Sequence, residues 1–193
     1  MNEAYVLDQN YNQLNFAESL LEIGEYENCT FQNCNFEYTD LSHFKLTDCE
    51  FIDCNLSMTK LSGTAFRDVI FKNCKMFGMH FDDCNEFGMS FSFEGCALNN
   101  SVFYKTTIKR TLFKNCKLIE VDFAECDLSN SVFSNCDFNG ATFDKTNLEK
   151  ADLRTSFNYI INPESNKLKK TKFSLSEIHG LLHRFDIEID KNS

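Results

Sequence analysis

The sequence predicts an all-β solenoid in which the chain turns a corner every five residues and four corners close a square coil. Three observations predict it. A large apolar residue recurs at a five-residue step across residues 26–153, with one interruption. A mostly small residue stands two positions before each apolar one, and the three remaining places are mainly polar. Neither the 3.6-residue period of a helix nor the two-residue period of a strand gives this pattern.

The apolar positions fall into four columns, one for each side of the coil, because residues 20 apart stack on one another. The most aromatic column is predicted to contain Phe31, Phe51, Phe71, Phe91, Phe113 and Phe133. The 21 phenylalanines of the chain are therefore assigned mainly to the core. Burying each side chain gains roughly 1.5–3 kcal/mol, but ordering the backbone costs about 1–2 kcal/mol per residue. The stacked coils must therefore also pair their backbones.

All ten cysteines occupy the small position of the repeat. Six of them are predicted to form a ladder of buried, reduced thiols: Cys34, Cys54, Cys74, Cys96, Cys116 and Cys136. A zinc site is the alternative, but its ligands favour CxxC spacings around a compact centre. Disulfides require converging Cβ vectors, whereas stacked side chains point the same way. We therefore expect no metal and no cofactor.

The five-residue step is broken once, between Phe91 and Leu98, where two extra residues are present. The regular step would place Glu86 in the core, and burying an unpaired carboxylate costs several kcal/mol. An alternative register with two single-residue bulges uses Phe81, Phe87, Phe93 and Leu98 and moves Glu86 out of the core. We therefore favour a local distortion somewhere within residues 84–97. The distortion is either an absorbed insertion or a recognition loop.

The repeat SNCDF NGATF DKTNL EKADL at residues 134–153 resembles the pentapeptide-repeat family. In that family the order is a small residue, Asp or Asn, Leu or Phe, a polar residue, and a polar residue or Gly. The resemblance covers residues 26–155 and implies a right-handed quadrilateral β-helix. Because open ends would expose strand edges and core, residues 1–25 are expected to form an N-terminal cap and residues 156–193 a C-terminal cap.

The C-terminal segment is predicted to contain a short helix followed by a short strand. Ser174 and Glu177 fit a capping box, and the apolar residues that follow have helical spacing. The segment either folds back as a cap or forms a dimer interface. The candidate interface residues are Ile178, Leu181, Leu182, Phe185, Ile187 and Ile189.

The tail from INPESN onward is similar to the tails of the microcin immunity protein and the Qnr-type quinolone-resistance proteins. The similarity lies in an INPE-x-N break, a lysine-rich link, a leucine-containing helix and a β-branched final strand. It implies a homodimer formed through the C-terminus that binds DNA gyrase or topoisomerase IV. It also implies a rod that imitates DNA in charge and width.

Charge is distributed unevenly along the chain. Residues 1–100 carry 16 acidic and 5 basic side chains (−11), and residues 101–193 carry 13 and 14 (+1), which sum to −10. An acidic surface argues against direct binding to nucleic acid but suits a basic protein partner. The candidate partner surface comprises Asp40, Asp48, Glu50, Asp53, Asp68, Asp82, Asp83 and Glu86. A basic belt is expected on the following coils at Lys105, Lys109, Arg110, Lys114 and Lys117, and KLKKTK (167–172) is interpreted as a solvated link.

The remaining features favour a cytoplasmic, non-catalytic protein. There is no apolar stretch of the length of a membrane span and no signal-peptide pattern. No Walker loop, Rossmann fingerprint or GxSxG motif is present, and the pair His179 and His183 is expected at a surface. The first hypothesis is a rod that protects gyrase or topoisomerase IV from quinolones or peptide toxins. The alternative is a scaffold for another protein, bound at the 84–97 break or at an outward apolar patch of Tyr38, Met58 and Phe77.

Overall fold

The computed structural model describes residues 4–185, 187–188 and 190. It confirms the predicted right-handed quadrilateral β-helix, whose strands are all parallel and pair mainly at a spacing of 20 residues. The strands are β1 Ala4–Leu7, β2 Asn10–Asn12, β3 Gly24–Glu27, β4 Thr30–Gln32, β5 Lys45–Thr47, β6 Glu50–Ile52, β7 Ala65–Arg67, β8 Val69–Lys72, β9 Phe91–Glu94, β10 Leu112–Lys114 and β11 Val132–Ser134. A 3₁₀ helix, Phe81–Asp83, lies on one of the coils.

The rod has four sides, named here A to D in chain order. Side A is the seven-stranded sheet β11-β10-β9-β8-β6-β4-β2, and side D carries the four-stranded sheet β1-β3-β5-β7. Sides B and C are held by isolated bridges, such as Asn35 to Asn55 on side B and Asp40 to Lys60 on side C. The core therefore lies inside the square, and each column of outward residues runs along the rod axis.

The aromatic column on side A is continuous, but Phe93 and not Phe91 occupies its fourth place. Phe71 pairs with Phe93, and Phe93 with Phe113. The ring centroids of these two pairs lie 5.3 and 5.0 Å apart, with nearly parallel planes. The assignment of Phe91 to this column was therefore wrong. The alternative register placed Phe93 correctly, but it wrongly placed Phe87, which is exposed, in the core.

The reason is the position of the two-residue insertion, which lies between Cys84 and Phe91. Asn85 donates its N–H to the carbonyl of Thr64, and Phe91 pairs with Val69. Between these two contacts, the preceding coil has the five residues 65–69 and the following coil has the seven residues 85–91. The chain therefore bulges outward at residues 85–90, in agreement with the expected distortion.

Phe91 fills the core place that the regular step would give to Glu86. Its ring packs 6.2 Å from that of Phe66 and 5.4 Å from that of Phe81, and the Phe91 side chain is buried. Glu86 is exposed. The chain thus keeps an aromatic group inside this coil and leaves the carboxylate in water, where its charge is solvated.

The six predicted ladder cysteines are buried, and all ten cysteines are free thiols. Each ladder thiol lies near the carbonyl of an aromatic residue on the coil below, as in Cys54 Sγ to Phe31 O (3.2 Å) and Cys116 Sγ to Phe93 O (3.6 Å). Thr64 uses the same position to donate its hydroxyl to Leu41 O at 2.7 Å. Where the small inward position holds Cys, Ser or Thr, the side chain is compact and can donate a hydrogen bond between coils.

Burial should make these thiols unreactive in the native protein. It raises the pKa of Cys49 and of Cys126 to about 12, so very little thiolate exists at mildly alkaline pH. We expect negligible reaction with an aromatic disulfide reagent in native buffer and reaction of all ten thiols in denaturant. Fast labelling of several thiols in the folded protein would contradict the buried ladder.

The stacked coils extend beyond residues 26–155 at both ends. Ala4–Leu7 pairs with Gly24–Glu27, so part of the expected N-terminal cap is a further coil. At the other end Lys167 bridges to Asn147 and Lys172 to Asp152. The segment 167–172 is therefore the last coil of the rod and not a solvated link.

The predicted C-terminal helix is two short 3₁₀ helices, Ile178–Leu181 and His183–Phe185, and not an α-helix. Gly180 explains the difference. Its carbonyl accepts the N–H of Ile161, and its Cα lies so close to the carbonyl oxygen of Tyr159 that a Cβ there would be 2.0 Å away. Because the Gly180 carbonyl is hydrogen-bonded to the last coil, it is not used in an α-helical hydrogen bond, and the turns keep the tighter 3₁₀ form.

The predicted capping box does not form either. The hydroxyl of Ser174 meets that of Ser176 at 3.0 Å, and the carboxylate of Glu177 accepts the N–H of Asn158. Ile187 lies outside any strand in the structure, and Ile189 lies outside the described residues.

Candidate partner-binding surface

The corners of the rod are built from residues with left-handed backbone conformation, which fixes where outward side chains point. The residue before almost every small inward position has φ between +50° and +71°. Asn, Asp and Gly accept this conformation most readily, and they fill many of the corners. Sequence reasoning treated this place only as polar, although its Asn, Asp and Gly content was the available signal.

The corner between sides D and A carries an acidic stretch at the N-terminal end, which we call the acidic edge. It consists of Asp8, Glu27, Asp48, Glu50 and Asp68. The register of β1, β3, β5 and β7 stacks the residue that follows each strand, which places Asp8, Asp48 and Asp68 in one column. These three side chains are exposed, and Glu27 and Glu50 flank them at intermediate exposure.

The other predicted surface acids lie elsewhere on the rod. Asp40 and Asp82 are on side C, Asp83 is at the corner between C and D, and Asp53 is at the corner between A and B. Hydrogen bonds from Ser42 hold the pKa of Asp40 below its usual value. The structure therefore gathers Asp48, Glu50 and Asp68 but does not bring all eight predicted acids onto one surface.

The bulge at residues 85–90 projects from side D beside the acidic edge. The side-chain oxygen of Asn85 accepts the N–H of Phe87 at 2.9 Å, and Ser90 donates its N–H to Phe66 O and its hydroxyl to Asp68. Gly88 has φ of +70°, which closes the turn without a side-chain clash. The bulge is thus a hydrogen-bonded loop on a rigid support.

Phe87 stands at the tip of this loop with 80% of its surface exposed. The core takes most of the other phenylalanines of the chain, so an exposed ring in this place has no role in packing the rod. A large apolar side chain presented on a defined loop is the kind of group that anchors protein interfaces. Glu86 beside it is also exposed and adds to the acidic edge.

The predicted basic belt is largely neutralised by neighbouring coils. Lys105 pairs with Glu125 at 3.8 Å, Lys109 with Asp127 at 3.2 Å, and Lys114 with Glu94 at 2.6 Å. These exposed pairs add little stability, but they cancel much of the local positive field. Arg110 instead occupies the corner column that continues the acidic edge.

Two residues of the predicted outward apolar patch, Tyr38 and Met58, line a shallow groove at the corner of sides B and C, whereas Phe77 is exposed but does not line it. Tyr38 and Met58 occupy left-handed corner positions with φ of +57° and are exposed by 71% and 48%. Gly78 continues their column, and the Met58 side chain lies across it. The groove has a volume of about 350 Å³ and is also lined by His80 and Asp83.

The predicted dimer residues lie at the C-terminal end of the rod. Phe185 and Ile187 are exposed by 51% and 55%, whereas Ile178, Leu181 and Leu182 are partly buried. Leu181 packs against the core. This end therefore combines a cap that closes the rod with apolar side chains that remain in water.

Two kinds of feature are absent from the described part of the chain. Among residues 4–185, 187–188 and 190, no group of three His, Cys, Asp or Glu side chains is arranged to hold a metal ion. In the same ranges no helix has the length and apolarity that crossing a membrane requires.

The fold, the five-residue step and the corner geometry define a class of solenoid protein. The family model for the pentapeptide repeat region matches residues 24–92 and 89–181, and the chain belongs to the pentapeptide-repeat family. Among curated protein sequences, none matches this chain.

Three solved structures are similar to this rod. A trypsin-treated variant of QnrB1, a plasmid-mediated fluoroquinolone resistance protein, has 19% identity and a TM-score of 0.61 and covers 97% of this chain and 92% of its own. Full-length QnrB1 has 18% identity and a TM-score of 0.56 and covers 95% and 100%. HetL from Nostoc sp. strain PCC 7120, a pentapeptide repeat protein involved in heterocyst differentiation regulation, has 13% identity and a TM-score of 0.45 and covers 88% and 87%. The QnrB1 likenesses support the fold over nearly the whole length.

Proposed function

We propose that this chain is a non-catalytic, cytoplasmic rod that binds DNA gyrase or topoisomerase IV and protects it from a quinolone or a peptide toxin. The single observation that carries the proposal is the acidic edge beside the exposed Phe87 on a rod of the QnrB1 fold. The rod would occupy the surface of the topoisomerase that holds DNA and would imitate DNA there.

The charge density of the acidic edge supports this proposal. Its five carboxylates are spread over three coil spacings, about 14 Å at roughly 4.8 Å per coil. That gives one carboxylate per about 3 Å, compared with one phosphate per about 1.7 Å of duplex DNA. Glu50 pairs with Lys72 at 3.3 Å, so the field is weaker than that of DNA. The imitation is therefore limited to the N-terminal half of one edge.

Phe87 would supply the apolar anchor and the acidic edge would guide the encounter. Charges at the rim of an interface mainly change association rates, and a buried aromatic anchor mainly slows dissociation. The exposed Phe185 and Ile187 would pair two copies at their C-terminal ends, so that the two edges extend outward from the centre of the dimer.

The test is rescue of gyrase supercoiling from a fluoroquinolone by the purified protein. We expect the wild-type chain to rescue supercoiling and Phe87→Ala to lose at least tenfold in potency, since truncation of an aromatic hot spot costs 2 kcal/mol or more. Tyr104→Ala is the matched control, because Tyr104 is an exposed aromatic residue on side C and does not belong to the D–A edge. A folded wild-type protein that gives no rescue over a wide concentration range would sink the proposal.

The alternative function, a scaffold for a different protein, is favoured by the groove at Tyr38 and Met58. Left-handed conformation costs roughly 1–2 kcal/mol for a residue other than glycine, and these two side chains gain little burial in return. A pull-down that recovers a specific partner, loses it with Tyr38→Ala and retains it with Phe87→Ala would favour the scaffold.

A further inference from the structure

The corner column between sides D and A changes sign at the bulge. From the N-terminal end it carries Asp8, Asn28, Asp48, Asp68, Ser90, Arg110, Asn130, Lys150 and Lys170. The strand registers and bridges align these residues one above another. Apart from Ser90, which has intermediate exposure, all are exposed. The column is about 38 Å long at roughly 4.8 Å per coil.

We infer that this edge pairs with the same edge of a second copy in antiparallel orientation, with the two-fold axis at Ser90. One step from the axis, Asp68 of one chain would face Arg110 of the other. Four steps away, Asp8 would face Lys170. The intermediate steps place Asp48 opposite Asn130 and Asn28 opposite Lys150, so none of the four pairings brings like charges together.

Beside the column, Ile70 and Leu112 fit the same arrangement, and Val132 would face Glu50. On side A the adjacent column contains Ile70, Leu112 and Val132, and the same axis places Ile70 opposite Leu112. Leu112 and Val132 are each exposed by 42% although they lie on strands. These outward aliphatic groups would be covered by the partner, while the two Phe87 rings would lie close to the axis.

On side D two like-charge contacts would occur, one between Arg67 and Lys109 and one between Glu27 and Glu149. Lys109 is already paired with Asp127 at 3.2 Å in its own chain, which offsets its charge. The interface is narrow and its charge pairs lie at the surface, so each adds little. The pairing is therefore weak and reversible, and salt should weaken it further.

Pairing of this kind would regulate the proposed function, and only this consequence rests on that function. The paired edges cover both the acidic edge and Phe87, which are the groups assigned to the topoisomerase. The partner enzyme and the second copy would then compete for one surface. At high protein concentration a smaller fraction of the chains would present a free, binding-competent edge.

The test is sedimentation equilibrium in a Phe185→Asp background, which removes the contact proposed for the C-terminal end. We expect reversible dimers at low ionic strength. Asp68→Arg and Arg110→Asp should each raise the dissociation constant roughly tenfold, since each places like charges at two symmetric sites, and the double variant should restore it. Asp53→Arg, at an equivalent corner with φ of +54° on a different edge, is the matched control and should have no effect.

Cross-linking gives a second measurement that leaves the C-terminal end intact. Asp68 and Arg110 of one chain are two coils apart, about 10 Å, which is too far for a disulfide. Asp68→Cys/Arg110→Cys should therefore form disulfide-linked dimers under mild oxidation, and neither single variant should.

The inference is overturned if the double variants show no rescue and no cross-link, if Asp53→Arg has the same effect, or if the basic half binds duplex DNA while the protein stays monomeric. None of these readouts involves a topoisomerase, so failure here is separate from failure of the proposed function.

Discussion

Replacing Phe93 by alanine is expected to lower the free energy of unfolding by about 3–5 kcal/mol, the usual cost of truncating a buried phenylalanine. The Phe93 side chain is fully buried, and its ring stacks between those of Phe71 and Phe113. The coil on which it lies also contains the bulge. Loss of the ring therefore weakens the stack where it is least regular. Chemical denaturation followed by circular dichroism measures the effect.

Phe87→Ala is the matched control because it removes the same ring from the same coil at an exposed site. We expect the control to change stability by less than about 0.5 kcal/mol, as surface substitutions usually do. Loss of stability with Phe87→Ala and not with Phe93→Ala would show that Phe87 and not Phe93 packs in the core. The register of β8 and β9 would then be wrong.

Gly180→Ala is expected to release the C-terminal turns from the end of the rod. A Cβ at residue 180 would lie 2.0 Å from the carbonyl oxygen of Tyr159, and a backbone atom cannot move aside as a flexible side chain can. Overpacking of this kind costs typically 1–3 kcal/mol. Limited proteolysis should therefore cleave near residues 174–185 much faster than in the wild-type protein.

Gly88→Ala serves as the comparison for that variant. Its nearest neighbour would be the Arg67 side chain at 3.6 Å, so only the cost of a left-handed backbone applies, roughly 1–2 kcal/mol. It should leave the C-terminal cleavage rate unchanged. Slow cleavage of the Gly180→Ala protein would indicate that the turns are not held by this contact.

The coil and its core were predictable because the repeat itself encodes them. One large buried residue in five fixes the size of the square, and the small buried residue two places earlier directly follows each corner. The position of Phe93 in the side-A column was not predictable from the five-residue step alone. A two-residue insertion shifts every later residue, but the step does not locate the two extra residues. Only the pairing of Val69 with Phe91 locates them at 85–90.

The candidate surface was harder to predict than the core. Spacing by 20 residues predicted that Asp48 and Asp68 stack, but the bulge was needed to align Asp68 with Arg110 across it. The sequence predicted an α-helix in place of the two C-terminal 3₁₀ turns, because helical periodicity indicates an apolar face but not the surface against which that face packs. The carbonyl of Tyr159 against Gly180 depends on docking with the last coil, which local sequence does not record.

The equilibrium affinity of immobilised DNA gyrase for three proteins tests most directly whether this rod binds a topoisomerase through its D–A edge. These are the wild-type chain, Phe87→Ala and Tyr104→Ala, each shown to be folded. We predict that the wild-type chain and Tyr104→Ala bind alike and that Phe87→Ala binds at least tenfold more weakly. Absence of binding by the folded wild-type chain, or equal affinity of all three proteins, would contradict the proposed surface.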